Sequence, residues 1–139
     1  SNFSRTGKEC LHNVLYWQGG EYLGCGPSGH SHWHGKRFGN IRDLQVYCDR
    51  LLRDQAPFDE VEALSREEKA RETLVMWLRM TNGFGFDDFR KVTGFAAEEL
   101  CGDAIDFMVK QELLRVADGR LSLTEDALFV SNAVFSELL

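Results

Sequence analysis

Apolar residues recur at helical spacing through most of the chain beyond residue 40, and the predicted elements follow from them. Leu44, Tyr47, Leu51 and Leu52 form one stripe, which predicts a helix over 44–54. The stretch APFDEVEAL reads as a connector, because Pro57 disfavours helix at Ala56. The strongest helix spans 65–80. Ser65 and Glu68 open it as an S-x-x-E capping box, and Ala70, Leu74, Trp77 and Leu78 share its inner face. Leu64 precedes the cap, but Lys69 cannot complete an apolar staple with it. Gly83 is placed to end the helix.

A short helix is expected over 87–92 and a longer one over 96–111, the latter burying Leu100, Ala104, Phe107 and Met108. Trp77 with Phe84, Phe86 and Phe89 is expected in the core. In LLRVADGRLSLT, Asp118-Gly119 is a hairpin turn between two β-compatible runs. Thr124 caps a final helix with Glu125 and Asp126 in its first turn and Ala127, Val130, Val134 and Leu138 on its face.

The first forty residues differ. Seven of the thirteen glycines lie between Gly19 and Gly39, which puts a domain boundary near Asn40. HNVLYW makes a turn or two of helix, EYLGCG a short strand, and HWHGKRFGN a hairpin around Gly35-Lys36. His30, His32 and His34 alternate, so an extended segment would set three imidazoles on one face. That is the donor count of an open zinc site. No acidic or cysteine partner stands at ligand spacing, so no metal site is assigned.

Composition narrows the class. The chain has 139 residues, 43 % of them hydrophobic, enough for one packed domain of ordinary size. No apolar run reaches the length of a membrane span, and a cytoplasmic location is expected. Cys10, Cys25, Cys48 and Cys101 are widely spaced and read as free, unreactive thiols. The acidic run over 54–68 reads as solvated surface.

Helix, short helix, longer helix and β-hairpin is the order of a winged helix. The fold class expected is therefore mainly α with a small β component, a winged-helix-like C-terminal domain preceded by a short barrel-edge segment. In a DNA-binding winged helix the longer helix would enter the groove. Here it carries Glu98, Glu99, Asp103, Asp106 and Glu112 against Lys110, and the net charge of the chain is −6. Phosphates would repel it, so nucleic acid is excluded as a partner. Without further clues the chain would be an acidic winged-helix protein-interaction module.

Several linked motifs carry a resemblance. They are Ser1-Asn2-Phe3-Ser4, then His12-Asn13 with Tyr16-Trp17, then Tyr22-Leu23-Gly24-Cys25-Gly26 and Gly29-His30-Ser31, then Arg37 and Asn40. The blocks LVMWLRMTNGFGFDDF and GRLSLTEDA follow in order. Together they resemble the C-terminal part of the oxygen-independent coproporphyrinogen III oxidase family of radical S-adenosylmethionine (SAM) proteins. The resemblance implies that residues 1–40 are the last segment of a radical SAM barrel and 41–139 the family's C-terminal domain. It implies a SAM-contacting loop at Gly24, Gly26, Gly29, His30 and Ser31, and places His32 and His34 on the following hairpin.

The oxidase activity implied is decarboxylation of coproporphyrinogen propionates in porphyrin biosynthesis. The His-Asn-x-x-Tyr-Trp run is similar to the haem-chaperone branch of the same family, and so makes His12, Asn13, Tyr16 and Trp17 haem-contact candidates. His or Tyr can ligate haem iron, and aromatic rings stack on a porphyrin. The C-x-x-x-C-x-x-C that would hold a [4Fe–4S] cluster is absent. The leading expectation is therefore a non-catalytic C-terminal fragment of an oxidase-like protein, with SAM and cluster held elsewhere. The alternative is a haem-binding chaperone. Expected partners are the rest of the barrel domain and a porphyrinogen or haem, with a homo-oligomer left open.

Overall fold

The computed structural model describes residues 3–62 and 64–139, apart from the side chain of residue 60. In chain order the elements are α1 (Leu11–Trp17), β1 (His30–Trp33), β2 (Lys36–Asn40), α2 (Leu44–Leu52), β3 (Phe58–Glu62), α3 (Arg66–Leu78), β4 (Phe84–Gly85), α4 (Phe86–Thr93), α5 (Ala97–Lys110), β5 (Leu114–Ala117), β6 (Arg120–Leu123), a 3-10 turn (Asp126–Val130) and α6 (Ser131–Leu138). The chain is thus mixed helix and strand. It forms two compact units, residues 20–63 and residues 1–19 with 64–139.

The smaller unit is a three-stranded antiparallel sheet in the order β1-β2-β3. Its first hairpin turns at His34-Gly35, one residue earlier than the sequence suggests. A two-residue turn of this hand needs positive φ at both central positions. His34 takes φ 49° and Gly35 φ 71°. The His34 N–H donates to Glu21 Oε1 at 2.7 Å and holds the turn. EYLGCG contributes only a single bridge, Tyr22 to His32, rather than a strand.

β3 replaces the expected connector. Its apolar residues, Phe58 and Val61, lie three apart and so lack the strand period. Pairing with β2 decides the matter: Val61 sits opposite Phe38, and the rings of Phe38 and Phe58 lie 4.9 Å apart. α2 is capped by Asp43, whose carboxylate accepts from the Val46 N–H at 2.9 Å. Its stripe stays outside, however: none of its residues is buried, and Leu52 is 85 % exposed.

The larger unit holds the hydrophobic core. α3, α4, α5 and α6 enclose Leu74, Leu78, Phe89, Val134 and Leu138, and the sheet β4-β6-β5 adds Phe84, Leu114 and Leu121. The capping box forms in full: Ser65 Oγ accepts from the Glu68 N–H and Glu68 accepts from the Ser65 N–H. Those bonds hold the Glu68 carboxyl below its ordinary pKa. The cap is therefore intact above the usual carboxylate range and lost as pH falls through the lowered value.

The Asp118-Gly119 turn forms with φ 52° and 70° at its two residues. Thr124 Oγ1 donates to Glu112 O at 2.7 Å and accepts from the Ala127 N–H at 3.3 Å, so it caps the last helical segment as expected. That segment begins as a 3-10 turn, which leaves Val130 exposed and brings Phe135 into the core.

The face of α5 also departs from simple periodicity. Cys101 has non-helical φ/ψ of −150° and 36°, which kinks the helix. Cys101 and Ile105 turn inwards beside Leu100 and Met108, while Phe107 stays 59 % exposed.

β4 reaches β6 only because residue 83 is glycine. Its φ is 56°, and a Cβ there would overlap the Leu121 carbonyl. Arg120 closes the same corner by donating to Asn82 O at 3.2 Å and Gly83 O at 3.1 Å. Gly83→Ala is expected to lower the urea midpoint more than Asn82→Ala does. Phe89→Ala, which empties a fully buried site, should cost about 3–5 kcal/mol in the same experiment.

Candidate functional site

The glycine loop belongs to the smaller unit. Gly24 and Gly29 let its two stems touch: a Cβ at Gly24 would strike the His30 backbone, and one at Gly29 would come within 2.9 Å of Gly24. Asn40 Nδ2 donates to the carbonyls of Gly24 (3.1 Å) and Gly26 (2.9 Å). The Gly24 N–H donates to Ser31 Oγ at 3.0 Å, and Ser31 is buried. His30, the neighbour of Ser31 on β1, points the other way and is exposed. The structure therefore brings Gly24, Gly29, His30 and Ser31 together, with Gly26 at the open bend where φ is 82°. Ser31 works inwards on the loop, and His30 is the side chain offered outwards.

The three alternating histidines do not converge. His34 sits in the turn, and His32 Nδ1 lies 3.1 Å from Gly20 O. Among the described residues no group of three His, Cys, Asp or Glu side chains is placed to hold a metal ion. The cysteines do not fit a cluster either: Cys10 and Cys25 are exposed, Cys48 half-buried and Cys101 buried, all as free thiols.

In the larger unit, α1 splits its motif between two faces. His12 and Tyr16, one turn apart, meet edge to face with ring centroids 5.1 Å apart. His12 is exposed. Asn13 and Trp17, one position along, line a cleft of about 760 Å³. Small-molecule sites usually fall at roughly 300–1,000 Å³, so the cleft is large enough for a cofactor. Its other walls are the end of α3 with the loop after it (Arg79, Met80, Asn82) and the last helical segment (Phe129, Phe135).

Sequence reasoning missed those walls. They lie more than sixty residues from α1, and no local pattern links them to it. The one hint is Phe129, an aromatic residue in a helical stretch that the core does not use; it is 89 % exposed.

The family profile described as the HemN C-terminal domain matches residues 64–130. Over those residues the chain is similar to the HemN family. Among its relatives, the haem chaperone HemW of Bacillus subtilis is 26 % identical over all 139 residues. HemW of Synechocystis is 37 % identical over 86 residues, covering 60 % of this chain and 21 % of that protein. The mouse mitochondrial radical S-adenosyl methionine domain-containing protein 1 is 52 % identical over 91 residues, 60 % of this chain and 21 % of that one.

The fold resembles a part of HemN, the coproporphyrinogen III oxidase and radical SAM enzyme of Escherichia coli. The TM-score is 0.71 at 14 % identity, over 86 % of this chain and 28 % of that one. The chain spans 37 %, 36 % and 34 % of the length of the HemW proteins of B. subtilis, Lactococcus lactis and Mycobacterium tuberculosis. The motif that opens the family resemblance begins at Ser1 and Asn2, which lie outside the described residues. Among the described residues no helix is long and apolar enough to cross a membrane.

The thiols give a direct check on the geometry. Burial pushes the Cys101 thiol up from its ordinary pKa, against the lowering influence of Arg71. Peptide mass spectrometry after brief alkylation should find Cys10 and Cys25 modified and Cys101 protected until denaturant is added. Equal labelling of all three in the folded protein would contradict the placement of α5.

Proposed function

We propose that the chain is the haem-handling C-terminal part of a HemW-type haem chaperone. The carrying observation is α1, which offers an exposed imidazole, His12, edge-on to Tyr16, while Asn13 and Trp17 of the same helix face a cofactor-sized cleft. Neutral imidazole is a common haem ligand, and an aromatic wall suits a porphyrin face. The names of the sequence relatives favour this reading over oxidase activity. The oxidase HemN of Escherichia coli is a structural neighbour at 14 % identity, which speaks for fold alone. Decarboxylation of coproporphyrinogen therefore gives way to haem binding as the leading function.

The remaining assignments belong to the same proposal. Residues 1–40 serve as the last segment of a radical SAM barrel, and 41–139 as the C-terminal domain. Within it, α4 and α5 followed by the β5-β6 hairpin, with β4 completing the sheet, form a winged helix whose acidic α5 faces protein or solvent rather than nucleic acid. Gly24, Gly26, Gly29, His30 and Ser31 form one rim of a SAM site completed by the preceding barrel. The [4Fe–4S] cluster is held by cysteines outside these 139 residues, since the four present are spread over both units.

A haem titration of the full-length protein tests the reading. The wild type should develop a saturable Soret band distinct from free haem, and His12→Ala should shift its position. A wild-type titration with no protein-dependent Soret change would reject haem handling. Conversion of coproporphyrinogen III by the cluster-loaded protein would restore the oxidase reading.

A further inference from the structure

The cleft beside α1 has a chemistry more specific than its volume. Trp17 lines it from α1, and Phe129 and Phe3, their rings 6.2 Å apart, add further aromatic surface. Phe129 is almost fully exposed, so a flat apolar ligand laid against it would remove aromatic surface from water. One cation joins this lining. Arg79 follows directly on the end of α3, and its guanidinium carbon stands 4.8 Å above the Phe135 ring. No other Lys or Arg lines the cleft, and among the described residues no carboxylate pairs with Arg79.

The other charged residue of the lining is Glu9, and it is already engaged. Its Oε1 accepts from the Gly7 N–H at 2.9 Å, and backbone N–H donors of Glu9 itself and Gly7 hold its carboxyl below the ordinary value. The lining therefore holds one free guanidinium and one satisfied carboxylate. A ligand that fits it is flat, aromatic and acidic at its edge.

We propose that this cleft is the seat of the porphyrin macrocycle and that Arg79 is its carboxylate anchor. The proposal rests on the haem reading and deepens it. Affinity comes from Arg79 and the aromatic lining, with Asn13 and Trp17 of α1 facing the macrocycle. A guanidinium fixed over an aromatic ring loses little freedom when it pairs with a carboxylate in two-point fashion, which a lysine cannot copy.

The test separates macrocycle from metal. Iron-free protoporphyrin IX is titrated into the full-length protein and followed by quenching of tryptophan fluorescence, and haem is titrated in parallel by its Soret band. Arg79→Gln should weaken protoporphyrin binding roughly tenfold, as loss of one charge-assisted pair would. Protoporphyrin dimethyl ester should bind wild type and Arg79→Gln alike. Arg79→Lys should fall between. Thermal melts of both Arg79 variants, followed by circular dichroism, should match the wild type, since the side chain is exposed. Arg79→Gln binding protoporphyrin as tightly as wild type, with a normal haem Soret band, overturns the anchor and leaves haem handling standing. A wild type with no Soret response overturns both.

Discussion

The Leu121 carbonyl stands where any side chain at residue 83 would have to be. Most of the larger unit depends on that contact. Glycine at 83 lets the chain leave α3, turn, and lay β4 against β6, so that Phe84 enters the core opposite Leu121. Arg120 then ties Asn82 and Gly83 by their carbonyls to the hairpin. Four of the five residues between helix and strand, Arg79 to Asn82, are thereby fixed as one wall of the cleft. A backbone requirement in the core thus sets the position of side chains at the surface.

The sequence made much of this legible, for reasons that can be named. The cap at Ser65, the turn at Asp118-Gly119 and the cap at Thr124 are local, and each formed with the expected partners. The failures are where tertiary contacts overrule local pattern. β3 has its apolar residues three apart and becomes a strand only because β2 offers it an edge. The inner face of α5 is displaced by a kink that no spacing rule foretells. The leucine stripe of α2 has the right period and still finds no cover within its unit.

The site shows the same division. The His-Asn-x-x-Tyr-Trp run was visible as one motif, yet the structure parts it, with one pair of side chains edge to face and the other pair on the cleft. The glycine loop was visible as a binding candidate. Its internal fastening by Asn40 and Ser31 was not, because a side chain that reaches back fourteen or sixteen residues leaves no local trace. The cleft was invisible altogether. It is assembled from three distant stretches whose residues are unremarkable one by one.

The smaller unit carries one more consequence. Among its described residues only Ser31 and Ile41 are buried, and α2 keeps its leucines in water. Backbone hydrogen bonds in such a thin structure are broken by local opening rather than by unfolding of the whole chain. Its amides will therefore exchange with solvent on a faster clock than those around Leu74 and Phe89. The loop that carries His30 is built on the part of the molecule that opens most readily.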